Sequence, residues 1–185
     1  MPDKFVKVSR EYGHRLIHPK PAILVISRSL DGRVNAMTAA WSTPLSWDPP
    51  LVCVSISPKR YTHKLIKESR EFTLNVLGAD LVKEADYFGT VSGRDVDKFK
   101  ERKLTLLESK KVKTPHLAEA LAVLECSLYK EVEAGDHTIF IGLVEEAYVK
   151  PGLMKDSRYD PRKAKILMHL GDDYYTTISD EVLRP

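Results

Sequence analysis

The chain has 185 residues, 43% of them hydrophobic, and its 29 basic and 26 acidic side chains leave a formal charge of only +3. That length suits one domain over residues 1–185 with a sizeable core, and charges so nearly balanced and interspersed argue against a nucleic-acid partner. No run approaches the roughly 20 apolar residues of a membrane span, and the N-terminal MPDKFVKVSREYGH lacks an apolar signal core, so a cytoplasmic protein with no membrane partner is expected.

Residues 1–20 read as a preface closed by His18-Pro19 and Pro21. His14 and His18 are four apart and would share a helical face, either as a metal pair or as polar surface residues at a helix end. Ala22–Ile26 is a β-rich buried strand, Ser29–Gly32 a turn, and the strand resumes through Val34 and Met37, giving a hairpin. A polar loop rich in Thr, Ser and Trp ends at Asp48-Pro49-Pro50. Leu51–Ile56 is the next strand. Thr62 is the expected N-cap of a helix over His63–Ser69. Glu71–Val76 alternates as a strand, and Ala79–Phe88 has helical spacing.

A loop from Ser92 enters a short helix near Lys98-Phe99. Leu104–Leu107 is a brief extended piece, and Lys110–Lys113 a solvated basic loop. Two long runs, Ala122–Val132 and Thr138–Val149, are apolar enough to be central strands, joined by the turn Glu133–Asp136. A charged loop over Lys155–Lys165 precedes a last strand pair, Ile166–Leu170 and Tyr174–Ile178. Strands dominate and follow one another through short turns, so an antiparallel barrel or sandwich with a few inserted helices is expected.

Cys53 and Cys126 sit in apolar runs with no CxxC, which points to buried free thiols. There is no glycine fingerprint for a dinucleotide fold, no phosphate loop, no HExxH and no GxSxG. Ser55–Lys64 remains. Ser55 and Ser57 lie on one side of a strand, and Arg60 and Thr62 follow within one turn. Hydroxyls, a cation and a helix start suit a phosphate; the same residues also describe a capped helix with an exposed arginine. Upstream, Asn35, Met37, Thr38 and Trp41 would lay a backbone edge and small side chains along a flat heteroaromatic ring. Trp41 and Trp47 read equally as core or interface aromatics, and His137 as a turn histidine.

DGRVNAMTAAWSTPLSWDPPLVCVSISPKRYTHKLI, GTVSGRDVDKF and EVEAGDHTIFIGLVEEAYV, in that order, resemble the flavin reductase-like, FMN-binding split-barrel family, in its flavoredoxin and archaeal ferric-reductase branch. The resemblance spans residues 15–178; the segment 153–165 and the C-terminal tail match nothing in it. It implies a six-stranded antiparallel Greek-key split barrel, a homodimer with FMN near the interface, and electron flow from NADH or NADPH through FMN to a small-molecule or protein acceptor. It implies no metal. By motif, Asn35, Met37, Thr38 and Trp41 would flank the flavin ring; Ser55, Ser57, Arg60 and Thr62 would hold ribityl and phosphate; Lys98 and His137 would approach the flavin or its phosphate. Tyr174 or Tyr175 would close one face of the ring. The resemblance leaves two further roles open, an electron carrier reduced by a protein donor and a flavin-binding module without turnover.

Overall fold

Alternating apolar residues and β-branched runs produce the strands they imply. The computed structural model describes residues 4–184. Its main sheet has seven strands, one more than the expected six, in the order Val34–Ala39, Ile23–Arg28, Glu71–Val76, Ala122–Ala134, His137–Val149, Leu51–Ile56 and Ser42–Ser46. Every neighbouring pair is antiparallel. The extra strand is Ser42–Ser46, which the sequence reads as loop. It is polar, contains Pro44 and pairs on one side only, and proline is tolerated at such an edge. Only Ala40 and Trp41 separate the two edge strands, Val34–Ala39 and Ser42–Ser46, so the opposite ends of the sheet lie close together and it curls into a split barrel.

One face of the sheet supplies the barrel interior, where Val25, Val54, Phe72, Cys126 and Phe140 are buried. Gly142 sits at a register shift in its strand. A Cβ there would lie 2.6 Å from Phe72 and 2.9 Å from Cys126, so only glycine lets the ring come this close to the backbone. The other face packs Leu24, Ile26 and Val123 against Leu81, Ala85 and Phe88. Most of those partners belong to a helical segment, a turn at Ala79–Leu81 running into helix α2, Val82–Thr90. Burying both faces explains why the core strands read as nearly continuous apolar runs.

Helix α1 spans Tyr61–Ser69, and its N-cap is Arg60, not Thr62. Thr62 lies inside the first turn, where its hydroxyl has another partner. Helix α3, Lys98–Arg102, is capped by Asp97, whose side chain accepts from the Lys100 N–H. The expected C-terminal pair forms as Leu167–Gly171 and Tyr174–Thr177, and Lys20–Pro21 adds a third short strand. The 3₁₀ helix Arg10–Ile17 is tied to that hairpin by a two-pronged pair, Arg15 to Asp172, with both bonds 2.6 Å. In this tighter winding His14 and His18 part company. His14 lies edge-on to Trp41 at 5.6 Å, while His18 Nδ1 lies 3.0 Å from the His169 carbonyl. Among the described residues no helix is long and apolar enough to cross a membrane.

Candidate functional site

The strand Val34–Ala39 turns Asn35 inward, leaving it 4% exposed beneath the start of α1. Its amide Nδ2 donates to Thr62 Oγ1 at 2.9 Å, while Oδ1 is buried without a partner. Thr62 is itself buried and keeps its hydroxyl proton to donate elsewhere. No side chain caps α1, and its first turn holds no acid. The free amides and the positive end of the helix dipole are therefore unopposed.

Lys98 enters from the start of α3 and is 4% exposed. Its ammonium donates to the carbonyls of Phe88 and Val91, both at 3.1 Å, at the end of α2. Burial pushes it down to about 8, and the nearby Arg60 charge pushes the same way. Arg60 leans toward the same helix end, its guanidinium 3.4 Å from the Gly89 carbonyl.

These groups surround a cavity of about 110 Å³, lined by Asn35, Met37, Lys59, Arg60, Thr62, Ser92, Arg94 and Lys98 among others. Gly93 closes one side. A Cβ there would fall 1.8 Å from Asn35 Oδ1, so the backbone approach requires glycine. Among the described residues, none of Arg33, Lys59, Arg60, Arg94 and Lys98 forms an ion pair with a carboxylate. Unpaired cations, a free hydroxyl and free amides match what a phosphate ester asks for.

The residues singled out in the sequence divide among three places. Asn35, Met37, Arg60, Thr62 and Lys98 share the basic cavity. Thr38 lines a neighbouring cavity of about 190 Å³ with Ala40, Gly89, Thr90, His169 and Tyr175, and its hydroxyl is held by the Ala85 carbonyl at 2.6 Å. Thr90 lines both cavities, so the two lie on either side of the end of α2. Trp41 and His137 meet at a third place, ring centroids 5.0 Å apart, with Asp136 Oδ1 2.7 Å from His137 Nδ1. The Ser55 backbone is bonded to Trp41 there, and Ser57 follows the same strand with Oγ 3.5 Å from the Lys59 N–H. Tyr175 rather than Tyr174 lines a cavity; Tyr174 is 68% exposed. Sequence reasoning missed Arg33, Lys59, Tyr61, Ser92 and Arg94, although all five stand inside the quoted motifs.

Residues 14–177 match the family model described as "Flavin reductase like domain". The reductase component of a 4-nitrophenol 4-monooxygenase/4-nitrocatechol 2-monooxygenase from Rhodococcus opacus is 30% identical, over 95% of this chain and 90% of that protein. The FMN-binding protein from Thermus thermophilus, solved with 1-cyclohex-2-enone, superposes with a TM-score of 0.86 at 31% identity, covering 98% of each chain. Flavoredoxin of Desulfovibrio vulgaris (Miyazaki F) gives 0.85 at 29% identity and 97% of each chain. With that match across the fold and the basic cavity, the chain belongs to the flavin reductase-like family of split-barrel proteins.

Proposed function

We propose that this protein binds FMN and passes electrons from reduced nicotinamide, NADH or NADPH, to an acceptor, as a flavin reductase. The observation that carries the reading is the basic cavity, whose lining cations Lys59, Arg60, Arg94 and Lys98 form no ion pair with a carboxylate among the described residues. Arg60, Lys98, Thr62 and the first amides of α1 would hold the phosphate, with Ser55 and Ser57 toward the ribityl chain. Asn35 would meet a ribityl hydroxyl. Met37, Thr38 and Trp41 would flank the ring, and His137 would stand at its margin. When bound, FMN supplies the hydride and single-electron chemistry.

The protein's part is binding and orientation. Thr38 is anchored to α2, which stiffens the strand edge along which a ring would lie. Lys98 and Arg60 place positive charge where the ligand is anionic. Trp47 is 99% exposed beside an apolar cavity lined by Pro44, Leu45, Pro50 and Val52, which supports a homodimer.

The test is an FMN titration of the purified protein, followed by NADH or NADPH with an acceptor present. Protein that takes up no FMN ends the reading. FMN-loaded protein that oxidises neither nicotinamide ends the donor assignment and leaves an electron carrier reduced by a protein donor, in line with the likeness to a flavoredoxin.

A further inference from the structure

The 3₁₀ helix Arg10–Ile17 lies against the protein without entering its core. None of its residues is buried, and its apolar residues Tyr12, Leu16 and Ile17 stay exposed. Apolar burial therefore adds little to its attachment. Polar and aromatic contacts hold it instead, and they reach two places. On one side the His14 ring stands edge-on to Trp41 at 5.6 Å. On the other, Arg15 grips both carboxylate oxygens of Asp172, each at 2.6 Å. Just past the helix, His18 Nδ1 lies 3.0 Å from the His169 carbonyl, and Lys20–Pro21 pairs as a strand with Met168 and His169. The chain is thus fixed from His18 onward, whereas the helix before it depends chiefly on the Arg15 pair and the His14 edge contact.

Both attachments fall on the rim of one cavity. His169 and Asp172 line the space of about 190 Å³ beside Thr38, and so does Ala40, the neighbour of Trp41. No residue of the helix lines that space, so the helix runs from rim to rim and stays outside the wall. Its latch is polar and open to water. The Arg15 and Asp172 side chains are 38% and 61% exposed. The two-pronged contact fixes a geometry, but salt screens an exposed pair and leaves it weak.

We propose that Arg10–Ile17 is a strap across the mouth of this cavity, latched by Arg15 on Asp172, and that its opening sets how fast a flat ligand enters and leaves. The inference rests on the reading that places the flavin ring along Thr38 and Trp41. A strap that gates without holding the ligand slows entry and exit alike and leaves the equilibrium unchanged. A residue that holds the ligand changes exit far more than entry.

The strap is followed in a Trp47→Phe background, where Trp41 is the sole tryptophan. In the FMN-free protein, acrylamide quenching of Trp41 should rise when Arg15→Gln removes the latch, and also in the Arg15 protein at about 1 M salt, where the screening length is about 3 Å. Mixed rapidly with FMN, Arg15→Gln should show association and dissociation rate constants that both rise about two- to fivefold, as for loss of an exposed pair, with Kd held within about twofold. Arg15→Lys, which offers a point charge in place of the fork, should fall between. That variant and the salt series carry the test if Arg15→Gln does not fold. Trp41 quenching that ignores both salt and substitution overturns the latch. Rate constants that stay at the Arg15 values, or a faster exit alone with weakened FMN, overturn the gate and leave the flavin reading intact. Protein that takes up no FMN overturns the flavin reading and the gate with it.

Discussion

Replacing Lys98 by methionine keeps the apolar stem and removes the charge. The side chain is 4% exposed and its ammonium sits among backbone carbonyls and the Phe88 ring, 4.9 Å from the ring centroid. A hydrogen bond from such a cation to an anionic ligand contributes about 1.5–3 kcal/mol, so Lys98→Met should weaken FMN by roughly 10- to 150-fold. The wild type carries its own internal test. Its ammonium titrates at about 8 in the free protein against the usual 10.5, because burial and the Arg60 charge disfavour the proton. A phosphate ester is close to a dianion above pH 7 and selects the protonated lysine. FMN affinity should therefore fall about tenfold between pH 7 and pH 9, as the protonated fraction does. Stability of the unliganded protein should move the other way. The fold binds fewer protons than the unfolded chain between about 8 and 10.5, so the penalty for the buried charge is present below 8 and relieved as pH rises through that window. Fluorescence titrations of FMN from pH 6.5 to 9.5, with denaturant unfolding at the same pH values, read both slopes. An FMN affinity that is flat with pH in wild type, or equal in wild type and Lys98→Met, refutes the placement of the phosphate beside Lys98.

Three further outcomes follow from the packing. Gly142→Ala pushes a methyl into Phe72 and Cys126 at the barrel centre and should cost about 1–3 kcal/mol, lowering Tm by about 2–12 °C; a Tm within a degree of wild type would contradict the close approach. Burial favours the neutral form of Glu125, but the Lys110 N–H, the Tyr148 hydroxyl and the Lys111 and Val112 N–H groups outweigh it and hold the carboxyl below its usual range. Glu125→Gln should therefore destabilise by about 1–3 kcal/mol at pH 7, with the gap to wild type closing as pH falls through that lowered value; melts that differ equally at pH 7 and pH 3 would argue against it. With Trp47→Phe, the remaining Trp41 emission should be quenched by FMN, whereas with Trp41→Phe the exposed Trp47 should respond far less; the reverse pattern would move the ring away from Trp41.

Where one local rule decided the structure, the sequence was readable. Ile23–Arg28, Leu51–Ile56, Glu71–Val76 and the long hairpin follow from alternation and turn residues. Ser42–Ser46 was not, because a polar strand with a proline has no periodic signature and exists only through pairing with Leu51–Ile56. A threonine before a helical pattern suits a cap or a first turn equally; Thr62 takes the first turn, where its hydroxyl accepts from the Asn35 amide 27 residues upstream. Lys98 could be named from its motif, but its burial against the Phe88 ring and the Arg60 charge that lower its pKa appear only in the fold. Arg33 and Arg94 are ordinary loop arginines until the fold sets both on Tyr61.

The basic loop Lys110–Lys113 turns its charges outward and its backbone inward. The amides of Lys110 and Lys111 bond the two oxygens of Glu125 at 2.9 and 2.7 Å, and the Lys113 amide bonds Glu71 at 3.1 Å. A trypsin-like protease reads such a stretch as three cleavage sites, yet it must draw an extended strand of backbone into its cleft. Here that strand is held by carboxylates rooted in the two adjacent core strands Glu71–Val76 and Ala122–Ala134. Cleavage at these lysines then waits on the release of this backbone from Glu71 and Glu125, and the loop becomes a gauge of how often those bonds let go.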